Sequence, residues 1–73
     1  MPEITVDVKK EIGVISETPN GWKKKLNIVS WNGREPKYDI RDWNPDGTKS
    51  SKGITLNDEE VQVLFELLKN ELN

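Results

Sequence analysis

A chain of 73 residues has room for one domain, 1–73, and is too short to be stable on core burial alone without a brace. It contains no Cys and no His, so disulfides, thiolate metal sites and imidazole ligation are excluded, and association with a second copy is the remaining common brace. The net charge of -2 disfavours a polyanionic ligand only as an average: residues 22–52 carry eight cations against four carboxylates (net +4), and the rest carries three against nine (net -6).

The N-terminal MPEITVDVKK lacks the basic-then-apolar order of a signal peptide, and no run of about 18 apolar residues follows. A cytoplasmic, nucleoid-associated location without a membrane partner is expected. From Ile4 the even positions Ile4, Val6, Val8, Lys10, Ile12, Val14 and Ser16 alternate with Thr5, Asp7, Lys9 and Glu11, which predicts one long half-buried strand. Gly13 within it predicts a bend or bulge. Thr18-Pro19-Asn20-Gly21 is a turn, Trp22 to Trp31 a second strand, and Asn32-Gly33 a hairpin signal. Lys37 to Trp43 is a third strand, Asn44 to Ser51 a polar loop, and Lys52 to Leu56 a short fourth strand.

Asn57 then opens a helix, with Glu60 placed to complete a capping box and Leu56 to staple against Val61. Val61, Leu64, Phe65, Leu68 and Leu72 fall on one stripe at about 100° per residue, the face expected to cover the sheet. Val63 and Leu67 lie nearly opposite, and a second subunit is the simplest cover for them. Four strands followed by one helix make the fold class α+β.

The parity of the second hairpin decides which side chains meet. A two-residue Asn-Gly loop would mix apolar with charged residues on both faces. A loop of three or five residues shifts the parity by one. Leu26, Ile28, Tyr38 and Ile40 then share one face, and Lys23, Lys25, Asn27, Val29 and Trp31 share the other with Lys37, Asp39, Arg41 and Trp43. The odd loop is predicted because it alone makes one consistent apolar side. Asp39 is expected to orient the Arg41 guanidinium.

The second face mixes cations with flat aromatic rings, which is what an unpaired polynucleotide requires. Lys23, Lys25, Lys37, Arg41 and Lys52 are the expected phosphate contacts. Trp31 and Trp43 are the expected stacking surfaces, Trp22 is a further candidate, and Asn27 is a neutral hydrogen-bonding group. The competing structural reading has the tryptophans capping the core and the lysines solvating the sheet. Enzymatic activity is not expected: thiol, imidazole and a phosphate-cradling glycine loop are all missing. No cofactor or metal is expected either, "NPDG" being a turn with too few oxygen ligands for calcium.

"DIRDW", an eight-residue loop and "KGITL" running into an acidic-started helix resemble the single-strand-binding domain of the transcriptional coactivator family called positive cofactor four. "LNIVSWNGREPKYDIRDW" is similar to its small bacterial YdbC-like branch. The resemblance implies a curved four-stranded antiparallel sheet followed by one helix. It further implies a homodimer whose sheets form grooves for single-stranded DNA with little sequence preference. Position by position it carries over Arg41 of "DIR" and Lys52 with Gly53 of "KG". RNA in place of DNA, and a protein-interaction module using the same basic and aromatic face, stay open as alternatives.

Overall fold

The structure, a computed structural model, describes residues 6–73, so the predicted strand start at Ile4 and Thr5 lies outside the described residues. Four strands, β1 (Val6–Glu17), β2 (Lys23–Trp31), β3 (Lys37–Trp43) and β4 (Ile54–Leu56), precede one helix, α1 (Asp58–Leu72). The sheet order is β1-β2-β3-β4 and every neighbouring pair is antiparallel, a meander. The expected α+β class and element order hold.

Pairing of Leu26 with Ile40, Ile28 with Tyr38, Lys25 with Arg41 and Asn27 with Asp39 establishes the odd register. The Asn-Gly turn forms nonetheless. Asn32 and Gly33 both have positive φ, at 53° and 72°, and the Arg34 amide donates to the Trp31 carbonyl at 3.0 Å. The ladder does not close on that turn, because residues 34–36 intervene, and Pro36 has no N–H to give it. The Ser30 hydroxyl donates to the Arg34 carbonyl at 2.6 Å and holds this extra stretch in place.

β1 departs from simple alternation. Its register against β2 shifts three times, between Val8 and Lys10, Glu11 and Gly13, and Val14 and Ser16. Each shift inserts one β1 residue, which bends the strand and reverses its parity. Val6 and Val8 therefore lie opposite Trp31 and Val29, Glu11 opposite Asn27, Val14 opposite Lys25 and Glu17 opposite Lys23. The single face predicted for this strand is therefore divided: Val6, Val8 and Val14 stand on the side of Trp31, Val29 and Lys25, and Lys10 and Ser16 opposite Ile28 and Lys24 on the other.

β4 is shorter than predicted, beginning at Ile54 rather than Lys52. Trp43 bridges Ser50 and the Ser51 amide reaches the Asp42 carbonyl, yet Ile40 pairs with Ile54, so one extra residue stands opposite Arg41. That irregularity occupies Lys52 and Gly53. A Cβ on Gly53 would overlap the Ile40 carbonyl oxygen and the Arg41 Cβ, so glycine is what lets the chain pass there.

α1 begins as its sequence dictates: the Asn57 side chain accepts from the Glu60 amide at 2.8 Å, and the Glu60 carboxylate accepts from the Asn57 amide at 2.9 Å. Val61, Leu64, Phe65 and Leu68 face Leu26, Tyr38, Ile40 and Leu56 across an open apolar cleft of about 180 Å³. No helix residue is buried. Of the five buried residues among those described, Val29 and Asp39 at 0 % exposure, Asn27 at 3 % and Trp43 at 8 % stand on the other side of the sheet, and Ser30, at 4 %, shares the parity of Leu26 and Ile28.

Candidate nucleic-acid interface

The side of the sheet away from α1 is built by β2, β3 and the parts of β1 that its bulges turn toward it. Lys23 lies opposite Trp43, Lys25 opposite Arg41, Asn27 opposite Asp39 and Val29 opposite Lys37. These cross-strand partners share a face, so the odd register brings six of the expected interface residues, Lys23, Lys25, Asn27, Lys37, Arg41 and Trp43, into one surface with Val29 and Asp39. Arg41 and Trp43 project away from the aliphatic cleft, as the sequence predicts.

Arg41 is held on two sides. Its Nε and Nη2 donate to Oδ1 and Oδ2 of Asp39 at 2.6 and 2.7 Å, a bidentate pair between a guanidinium and a fully buried carboxylate. Its Cζ also stands over the Trp31 ring, 4.5 Å from the centroid, within cation–π range. Arg41 is opposite Lys25, six residues before Trp31, so the two side chains must lean toward one another along the face. The fully buried Val29 and Asp39 lie on the stretch they span.

Two cavities open on this side. One, of about 330 Å³, is lined by Trp31, Arg34, Glu35, Lys37, Arg41 and Thr55. The other, of about 230 Å³, is lined by Val8, Glu11, Lys25, Asn27, Trp43 and Gly47. Asn27 Oδ1, Trp31 Nε1 and Trp43 Nε1 are buried without a hydrogen-bond partner among the described residues. Trp31 lines the first of these cavities and Asn27 and Trp43 the second, with these polar atoms turned inward.

Lys23, Lys25, Asn27, Trp31, Lys37, Arg41 and Trp43 thus come together. Trp43 is the most enclosed of the rings, at 8 % exposure, and lines the second cavity beside Lys25 and Asn27. Lys52 and Gly53 stand at the irregularity opposite Arg41; Lys52 is exposed, and the extra residue there removes the parity that would have turned it toward the helix. Trp22 lies outside β2 with its carbonyl accepting from the Thr18 amide at 2.8 Å, and it lines neither cavity. Sequence reasoning missed Val8, Glu11 and Glu17 on this face, and Glu11 takes Lys25 as an ion-pair partner at 3.3 Å. The available signal was the pair of doublets Lys9-Lys10 and Val14-Ile15, which break a period of two.

Residues 18–67 match the family described as Transcriptional Coactivator p15 (PC4). The chain belongs to this family. The matched span runs from the β1–β2 turn through most of α1 and includes every expected interface residue. The chain is also similar to an uncharacterised protein of Treponema pallidum (strain Nichols), 45% identical over 64 residues that cover 88% of this chain and 75% of that protein. Among the described residues no helix is long and apolar enough to cross a membrane.

Proposed function

We propose that this p15 family member binds single-stranded DNA with little sequence preference, as a homodimer of the YdbC-like branch, in transcription or DNA maintenance. The observation that carries the reading is the single sheet face on which Lys23, Lys25, Lys37 and Arg41 stand among Trp31, Trp43 and Asn27, with two cavities between them. Cations along a groove track the phosphates, and rings accept any base because every base has a π face. Lys52 extends the cationic track beside Arg41. Duplex DNA offers no splayed bases to such a surface.

The homodimer is supported by α1. Phe65 and Leu68 border the open cleft at 55% and 48% exposure, and Val63, Leu67 and Leu72 are more exposed still. A second copy laid along the outer side of the helix covers Val63 and Leu67, which face away from the sheet. No catalytic step is assigned to the interface.

Titration of oligo-dT against intrinsic tryptophan fluorescence tests the reading. Quenching is expected, with a log–log salt slope of about -0.7 per phosphate neutralised. An unchanged signal, or a response to acidic peptide in place of oligo-dT, would overturn it in favour of a protein-interaction module.

A further inference from the structure

The three insertions in β1 exchange charges across the sheet. With Val6 and Val8 on the interface side, unbroken alternation would carry Lys10 onto that side and leave Glu11 and Glu17 on the other. The observed register does the opposite: Lys10 stands opposite Ile28 on the helix side, whereas Glu11 and Glu17 stand opposite Asn27 and Lys23 on the interface. Unbroken alternation would have set Lys10 and the four cations of β2 and β3 against Asp39 alone, a net of +4. The actual face sets Lys23, Lys25, Lys37 and Arg41 against Glu11, Glu17 and Asp39, a net of +1. Bulges re-aim particular side chains. Here they remove most of the positive charge from the interface.

The two carboxylates sit where a phosphate would feel them. The Lys25 amine lies 3.3 Å from Glu11 Oε1, and the glutamate side chain is 55% exposed. A phosphate oxygen in hydrogen-bond contact with that amine falls within about 6 Å of the carboxylate, inside the Debye length of about 8 Å at physiological salt. Their repulsion is therefore only partly screened. Glu17 stands opposite Lys23, further along the same strand.

We propose that Glu11 and Glu17 are specificity-determining residues, a charge filter that denies the face to polyanions without unpaired bases, duplex DNA foremost. The proposal rests on the single-strand reading above. A ligand held by charge alone draws its affinity from the positive surface, and a net of +1 gives it little. A single strand adds contacts between its bases and the rings, so it tolerates the filter. The carboxylates also weigh unequally on the two ligands. Duplex DNA carries one phosphate per about 1.7 Å of axis and one strand about half that density, so each carboxylate repels about twice the charge when a duplex approaches.

The test titrates labelled oligo-dT and a dA·dT duplex of the same length at several salt concentrations, using wild type, Glu11→Gln, Glu17→Gln and Asp7→Asn. Both glutamates are exposed, so glutamine replaces them without repacking. Asp7 stands opposite Ser30 on the helix side of the same strand, so Asp7→Asn makes the same change in net charge away from the face. Each glutamine variant should tighten oligo-dT about 3-fold and duplex about 10-fold at low salt, with both salt slopes steeper than in wild type. Asp7→Asn should move neither ligand. Equal gains on the two ligands, or no gain, would overturn the filter and leave the single-strand reading standing. Asp7→Asn matching the glutamine variants would overturn it as well, because net charge rather than placement would then decide. Wild type that ignores oligo-dT altogether would overturn the single-strand reading, and the filter with it.

Discussion

Asp39 has no solvent contact, and both of its oxygens are engaged by Arg41. A buried ion pair contributes little net stability when intact, but removing one partner strands the other charge. Asp39→Ala is therefore expected to cost about 3–5 kcal/mol, read as a lower urea midpoint at unchanged slope. For a domain this small that is a large share of the total, which is about 4–11 kcal/mol by size. Gly53 acts through space rather than charge. Gly53→Ala sets a methyl group against the Ile40 carbonyl and the Arg41 Cβ, and a cost of about 1–3 kcal/mol is expected, with β4 amides losing hydrogen-exchange protection first. At this scale the sequence was informative where parity governs. Asp39 and Arg41 are two residues apart on a regular strand, so their pairing was legible. The enclosure of Trp43 was not, because it depends on the loop that Asn44 organises, its side-chain oxygen accepting from the Thr48 and Lys49 amides.

Elements divide in the same way. β2, β3 and α1 follow local rules, so their positions and even the odd hairpin register could be read from the alternation of charge and apolar residues. The helix start is the clearest case. Asn57→Ala removes the acceptor for the Glu60 amide and is expected to lower stability by about 1 kcal/mol, with the loss of helicity beginning at Asp58 in hydrogen exchange. β1 resists such reading. Its even-numbered positions fit one continuous face; the doublets Lys9-Lys10 and Val14-Ile15 hint at a break, and pairing with β2 shows the three insertions that send Lys10 and Ser16 to the side away from Val6, Val8 and Val14. Those insertions also blunt an edge strand of 12 residues that would otherwise present a long open ladder. One consequence reaches the site: Glu11 and Glu17 arrive beside Lys25 and Lys23, so the positive surface is weaker than a tally of residues 22–52 suggests.

At the scale of the molecule, a single copy leaves too much surface uncovered. Its accessible area is 5,894 Å², whereas a compact monomer of this mass has about 4,600 Å². The radius of gyration, 13.5 Å, exceeds the roughly 11 Å expected for this chain length. An excess of about 1,300 Å² is more than the ~800 Å² per partner that a standard interface removes. Much of it is apolar and sits on α1 and beside it, at Phe65, Leu68, Leu72 and Ile54. The proposed dimer would account for a sheet whose helix has no buried residue, since the helix would complete its burial against its counterpart. Folding and association are then linked, so the wild-type melting temperature should rise with protein concentration. Phe65→Glu, which puts a charge on the border of the cleft, should halve the mass found by light scattering and lower the melting temperature at every concentration. A wild type that scatters as a single chain at tens of micromolar, with a melting temperature independent of concentration, would leave the apolar helix to be explained in another way.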